Sequence, residues 1–317
     1  MEKISIRKIS EIDINVLKKF YAKTFNFEQD ILENYTWRYR TGYNNCEPIV
    51  LTINNQICGH AGLIPVDLKV NNIKENAIWF TDFYIDSKYR NRGYGKLLTE
   101  EWMNICPLQI TLCNNSSLKI FKKLKWQHNN NFLRTVKILN YFHLLPFLRN
   151  FKKNKKNIKV DVDKLNINVV NNKDLSKIIE TTEKISSNQN TGLLRDENWF
   201  RWRVLNCPYK KNITIFCYEG EFLIAHIFKK NKLKRMNIIF STHKTSNKIF
   251  KLILLWSKKN HIDYLSYIEN KINTSSNFLS PKKNINFAFF SKEESKINEI
   301  GNKFKDIQYI DSDIDFI

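Results

Sequence analysis

The spacing of apolar residues along this chain changes at Pro48. Before it, Ile12, Ile14, Leu17, Phe20 and Tyr21, and then Ile31, Leu32 and Tyr35, recur at helical intervals and predict helix across 11–40. After it come short β-type runs at 49–53, 57–64, 67–70 and 77–85, with the polar pairs Asn54-Asn55 and Asn71-Asn72 between runs. Runs of this length bounded by turn-formers predict an antiparallel meander. Helical spacing returns over 95–104, a strand follows at 108–113, a helix at 116–124 and a strand at 132–138.

The second half repeats part of this pattern. Trp37-Arg38 precedes a β run, an Asn-Asn turn and Ile57-Cys58-Gly59-His60-Ala61; Trp202-Arg203 precedes a β run at 213–218, a Glu-Gly-Glu turn and Leu223-Ile224-Ala225-His226-Ile227. Between the halves, 149–159 (RNFKKNKKNIK) is dense in lysine and poor in apolar residues, as a linker is. The expected organisation is two domains, 1–150 and 151–317, which is also what 317 residues accommodate.

Composition narrows the partners. Residues 1–150 carry 21 Lys and Arg against 13 Asp and Glu, and the remainder 31 against 18, so both halves contribute to the net charge of +21. Such a field favours anionic partners, although the same lysines also serve as a solvated surface in a chain this rich in Lys, Asn and Ile. The six cysteines form neither a Cys-x-x-Cys pair nor a Cys/His cluster, so no metal is expected and the thiols read as reduced. No apolar run reaches the length of a membrane span, and the N-terminus lacks the apolar stretch of a leader, which points to a cytoplasmic protein with at most peripheral membrane contact. No nucleic-acid recognition motif is present.

The chemistry concentrates where the strand at 77–85 gives way to a helix. Arg90-x-x-Gly93-x-Gly95-Lys96 supplies two of only eight glycines at that junction. The free amides of a first helical turn, aided by the helix dipole, gather phosphate oxygens. Glycine lets a pyrophosphate lie against the backbone, and Arg90, Arg92 and Lys96 add countercharge. The segment IDSKYRNRGYGKLL resembles the acetyl-coenzyme A signature of the GNAT superfamily of N-acyltransferases, Arg/Gln-x-x-Gly-x-Gly/Ala after a β strand. A second family motif follows in part, with Asn114, Ser117, Phe121 and Trp126 at its offsets.

The resemblance covers about 49–126 and implies an α+β GNAT fold, a mixed, mostly antiparallel sheet flanked by helices. With the repeat, it implies a duplicated arrangement whose degenerate second half lacks the glycine loop and shapes the acceptor groove. It further implies that two strands splay to admit pantetheine. The backbone at Phe83, Tyr84 and Ile85 would pair with pantetheine amides, and amides of Arg92, Gly93, Tyr94, Gly95 and Lys96 would hold the pyrophosphate. Asn114, Ser117 and Phe121 would line the cofactor arm. Acetyl-coenzyme A or another acyl-coenzyme A would be the co-substrate, attacked directly by an amine. Phe121 stands where the family often has the Tyr that protonates the departing thiolate, a role phenylalanine cannot fill.

The attacking amine needs a base, and two residues suit it. Asp82 is an acid among large apolar neighbours, and His60 titrates near neutrality in its usual state. The expected acceptor is a small amine, foremost an amino sugar or a nucleotide-linked amino sugar. Arg195, Arg201 and Arg203, interleaved with Trp199 and Trp202, would form a basic–aromatic wall for its diphosphate. The layout also resembles GNAT-type proteins of bacterial surface-polysaccharide pathways. Alternatives are a peptide or protein amine, and a catalytically weak GNAT scaffold holding an anionic partner.

Overall fold

The computed structural model describes residues 3–25, 34–140, 166–169, 172–186, 189–242, 248–270, 282–304, 306–308 and 311. The linker expected at 149–159 lies outside the described residues.

The first half runs β1 (Ile4–Lys8), α1 (Ile14–Phe25), α2 (Tyr35–Arg38), β2 (Ile49–Ile53), β3 (Gln56–Val70), β4 (Ile73–Ile85), α3 (Tyr94–Ile105), β5 (Leu108–Cys113), α4 (Asn115–Lys123) and β6 (Gln127–Ile138). The expected strands at 57–64 and 67–70 are one strand. Pro65 and Asp67 interrupt the apolar run, but Asp67 is buried as the acceptor of the Tyr43 hydroxyl (2.7 Å) and the ion-pair partner of Lys74 (2.9 Å), which removes the reason to break. The hairpins turn through Asn54-Asn55 and Asn71-Asn72, all four at positive φ between 49° and 66°. Asparagine tolerates this left-handed backbone, and the resulting twist matches that of the flanking strands.

The second half repeats the order: β7 (Asn166–Val169), α5 (Asn172–Ser186), the two-residue β8 (Gly192–Leu193), α6 (Glu197–Phe200), β9 (Ile213–Tyr218), β10 (Glu221–Lys230), β11 (Leu233–Ser241), α7 (Lys248–Lys259), β12 (Tyr264–Asn270), β13 (Lys282–Ser291) and α8 (Glu294–Lys303). Twelve of these strands form one sheet in the order β1-β2-β3-β4-β5-β13-β6-β12-β11-β10-β9-β7, with β8 added onto β3. Among the described strand pairs only β4·β5 and β11·β12 are parallel. Read from its two ends, the order is the same in both halves, with a pseudo-twofold between β13 and β6. The centre is exchanged: β13 lies against β5 (Phe287 opposite Leu112), while β6 lies against β12 (Val136 opposite Ser266). The division of the sequence near 150 therefore does not separate two closed bodies.

Helices cover both faces. In the first half α3 and α4 pack Leu98, Trp102 and Phe121 on Ile49, Leu51, Ile78 and Phe80, while α1 and α8 bury Leu17, Phe20, Tyr21 and Ile300 against the other face. In the second half α7 takes the place of α3, and α5 and α6 that of α1 and α2. Among the described residues no helix is long and apolar enough to cross a membrane.

The repeat is symmetric at its tryptophans. Trp37 Nε1 donates to the carbonyl of Trp202 (2.8 Å) and Trp202 Nε1 donates to the carbonyl of Trp37 (2.7 Å). The histidines are not equivalent. The register places a bulge beyond His60 in one half, but between Ile224 and Ala225 in the other, so His226 falls on the far side of its bulge.

Candidate active site

β4 and β5 are paired only at Ile78–Gln109 and Trp79–Ile110. The Thr111 hydroxyl then donates to the Phe80 carbonyl (2.7 Å), and beyond that bridge the strands part. The opening holds a cleft of about 320 Å³ whose walls include Thr81, Asp82 and Phe83 of β4, Thr111 and Cys113 of β5, and Asn114, Ser117 and Phe121 of α4. Its floor is aromatic: Phe80 stacks on Trp102 at 3.9 Å, and Phe121 packs edge-on to Phe80 and 4.6 Å from Trp126. Phe83 and Ile120 remain exposed at the rim, apolar surface that a ligand would cover.

The backbone of β4 presents hydrogen-bonding groups to this gap. Asp86 N–H donates to the Cys58 carbonyl (2.8 Å), so by the alternation of an antiparallel pair Ile85 turns its own N–H and C=O away from β3. Arg90 Nε takes that carbonyl at 2.9 Å. The chain then turns through Asn91 (φ 61°) and Gly93 (φ 84°), and Gly93 is the N-cap of α3. Having no side chain, Gly93 supplies no cap to the first-turn amides, and a Cβ at Gly93 would meet nothing within 4 Å. Space and donors are thus both present. Arg90, Arg92 and Lys96 are exposed around this mouth, Arg92 beside the Tyr89 ring and Lys96 loosely paired with Glu100. Tyr94 packs on Tyr89 and Gly95 lies against Ile85. Asn114 caps α4, its Oδ1 accepting from Ser117 N–H (2.9 Å), which holds both at the edge of the cleft.

At the inner end, Asp82 sits on the bulge of β4 with φ at 48°. Its Oδ2 accepts from Arg38 Nε (3.2 Å) and Nη2 (2.9 Å) and from the Tyr39 hydroxyl (2.8 Å). Arg38 is 4 % exposed, so this is an ion pair largely out of water. The acid that the sequence sets among large apolar neighbours is thus clamped by a guanidinium and a hydroxyl. His60 is fully buried behind it. One ring nitrogen faces the Asp82 carbonyl (Nδ1, 2.8 Å), which can only accept, so Nδ1 carries the hydrogen and Nε2 accepts from the Tyr21 hydroxyl (2.9 Å). Burial lowers the His60 pKa to about 4. Of the two residues suited to the base, Asp82 lines the cleft and His60 supports the strand beneath it. Nothing in the sequence marks Arg38, Tyr39 and Tyr21 for this role. Trp37-Arg38 stood out there as part of the repeat, with nothing to tie it to Asp82.

The basic–aromatic wall is not formed. Arg195 is buried and held by Asp311 (2.6 Å) and Asp306 (2.7 Å), Arg203 lies against the Trp37 and Trp202 rings, and Arg201 pairs with Glu197 on the surface. Trp199 points into the core.

Residues 14–126 match the acetyltransferase (GNAT) family. Over this stretch, somewhat more than a third of the chain, the protein is similar to GNAT acetyltransferases. The fold likeness extends further. A GCN5-related N-acetyltransferase from Kribbella flavida superposes with TM-score 0.62 at 9% identity, over 90% of this chain and 71% of that one. A probable N-acyltransferase from Enterococcus faecalis V583 gives 0.59 at 11% identity over 94% and 75%. Saccharomyces cerevisiae N-myristoyltransferase with bound myristoyl-CoA gives 0.56 at 11% identity over 90% and 78%. No curated protein matches the chain. The match over 14–126 and the GNAT fold both point to an acyltransferase of the acyl-coenzyme A-dependent kind.

The second half carries the same strand gap with a different occupant. Thr242 N–H donates to the Phe222 carbonyl (3.0 Å) as Asp86 does to Cys58, so Ser241 corresponds to Ile85. Its N–H and C=O are both taken by the side-chain amide of Gln308 (2.6 and 3.0 Å).

Proposed function

We propose that the protein transfers an acyl group from acyl-coenzyme A, acetyl-coenzyme A in the first instance, to a small amine by direct attack on the thioester. The observation that carries this reading is the gap between β4 and β5, opening at one end on the Gly93-capped helix and at the other on Asp82. Pantetheine would run along Phe83–Ile85, and the pyrophosphate would take the amides of 92–96. Asp82 would accept the proton of the incoming ammonium. Phe121 cannot return a proton to the thiolate, so that proton must come from solvent or from a hydroxyl of the cleft such as Ser117.

Residues 1–150 on this reading hold the donor, and 151–317 shape the acceptor side. An amino sugar remains the first acceptor to try, in keeping with the basic surface of both halves. A nucleotide-linked sugar has less support, since Arg195, Arg201 and Arg203 are engaged with internal partners. Six cysteines held as thiols rather than disulfides support a reducing, cytoplasmic setting.

Free-thiol release from acetyl-coenzyme A, measured across amino sugars, simple amines and short peptides, tests the reading. Gly93→Asp should abolish it, because a carboxylate in the loop repels the pyrophosphate. Acetyl-coenzyme A should also raise the unfolding temperature of the wild type at micromolar concentration and not that of the variant. No stabilisation of the wild type, or stabilisation by an oligonucleotide instead, would overturn it.

A further inference from the structure

The second half reaches the reacting end of the cleft through one short element. α2 and its C-cap hold Trp37, Arg38 and Tyr39 in succession. Arg38 and Tyr39 are the two residues that grip Asp82. Trp37 is the residue that the second half grips: Trp202 and Trp37 exchange indole N–H to carbonyl hydrogen bonds across 165 residues of sequence. Guanidinium groups close this contact on both sides, Arg203 5.3 Å from the Trp37 ring centre and 5.0 Å from that of Trp202, and Arg40 4.9 Å from that of Trp202. A four-residue helix has too few internal hydrogen bonds to hold itself, so its orientation is set by what it packs against.

The bonds to Asp82 are lopsided. All three end on Oδ2. Oδ1 is thereby the oxygen left for an incoming amine, and its direction depends on where Arg38 and Tyr39 stand. The pseudo-symmetric site makes the point by contrast. The second half keeps the Trp-Arg pair, yet its bulge falls at Ile239, which carries no carboxylate to orient.

We infer that Trp202 is a positioning residue for acyl transfer: through its reciprocal bonds with Trp37 it fixes α2, and so aims Oδ1 of Asp82 at the acceptor amine. The function of the second half then includes setting the geometry of the proton acceptor in the first. This rests on the acyltransferase reading above and on Asp82 as the base.

The test uses the full chain with acetyl-coenzyme A and the best amine from the thiol-release panel, compared with hydroxylamine, a nucleophile already uncharged at neutral pH. Trp202→Phe keeps the ring and removes one of the two bonds, and Trp37→Phe removes the other. Each should lower kcat for the amine roughly tenfold or more, the scale of a small misplacement of a reacting group, with KM for acetyl-coenzyme A unchanged. Neither should affect acetylation of hydroxylamine, which needs no base. In an Asp82→Asn background neither should lower kcat further, because the group they aim is gone. Additive losses in the double variants, equal losses with hydroxylamine, or a folded Trp202→Phe protein with wild-type kcat would each refute the positioning role. Full amine transfer by Asp82→Asn alone would instead refute the assignment of the base, which separates the two failures.

Discussion

His60 is held with one nitrogen on the Asp82 carbonyl and the other on the Tyr21 hydroxyl, and it is wholly enclosed. Its pKa falls from 6.5 to about 4 because burial penalises the imidazolium. The unfolded chain therefore takes up a proton near pH 6.5 that the native chain refuses until about pH 4. The stabilising effect of a neutral His60 is fully present above pH 6.5 and is lost as pH falls toward 4, by at most on the order of 3 kcal/mol. Thermal unfolding followed from pH 7 to pH 4 should show the wild type losing stability relative to His60→Gln; parallel curves would contradict it. At this scale the sequence disclosed what chemistry and scarcity marked. Gly93 and Gly95 were legible because glycine is rare here and the pair falls where strand becomes helix. The Arg38–Asp82 pair was not, since its members stand 44 residues apart and nothing in either neighbourhood names the other.

The bulge of β4 is the element on which the site turns, and Gly62 makes room for it. A Cβ on Gly62 would lie 2.8 Å from the Thr81 carbonyl oxygen and 2.9 Å from the Tyr39 ring. The first is backbone and cannot step aside. Gly62→Ala should therefore destabilise the fold by about 1–3 kcal/mol and, by pushing Thr81 and Tyr39, disturb Asp82 as well. Calorimetry together with thiol release would register both effects, and a variant unchanged in both would show that the strand absorbs the methyl group. The elements themselves were largely readable: β2, β5 and β9 fall at the expected bounds, and α3 and α4 within a residue or so. The split expected within β3 failed because Asp67 looks like a strand breaker until its partners Tyr43 and Lys74 are known. The histidine part of the repeat failed for a related reason. Ile224, two residues before His226, holds the strand position of His60, and spacing alone does not say which residue of a run meets the bulge.

Across the whole molecule, the exchange of β13 and β6 decides what can exist alone. β5 has β13 as its outer neighbour, and β6 is flanked by β13 and β12, all supplied by the second half. Residues 1–150 expressed alone should leave both strands with open edges and fail to unfold cooperatively, while co-expression with 151–317 should restore acetyl-coenzyme A binding. A soluble 1–150 fragment binding acetyl-coenzyme A as the full chain does would remove the need for the exchange. None of this was visible in advance, because the alternation in Asn284–Phe290 says that a strand exists and not which strand lies beside it. A genetic asymmetry is built in as a result. A nonsense codon anywhere before the codons for 282–291, far downstream of the glycine loop, deletes a central strand from the half that holds the donor. Loss-of-function alleles should thus be scattered along the entire reading frame up to that strand, including the part that never touches coenzyme A.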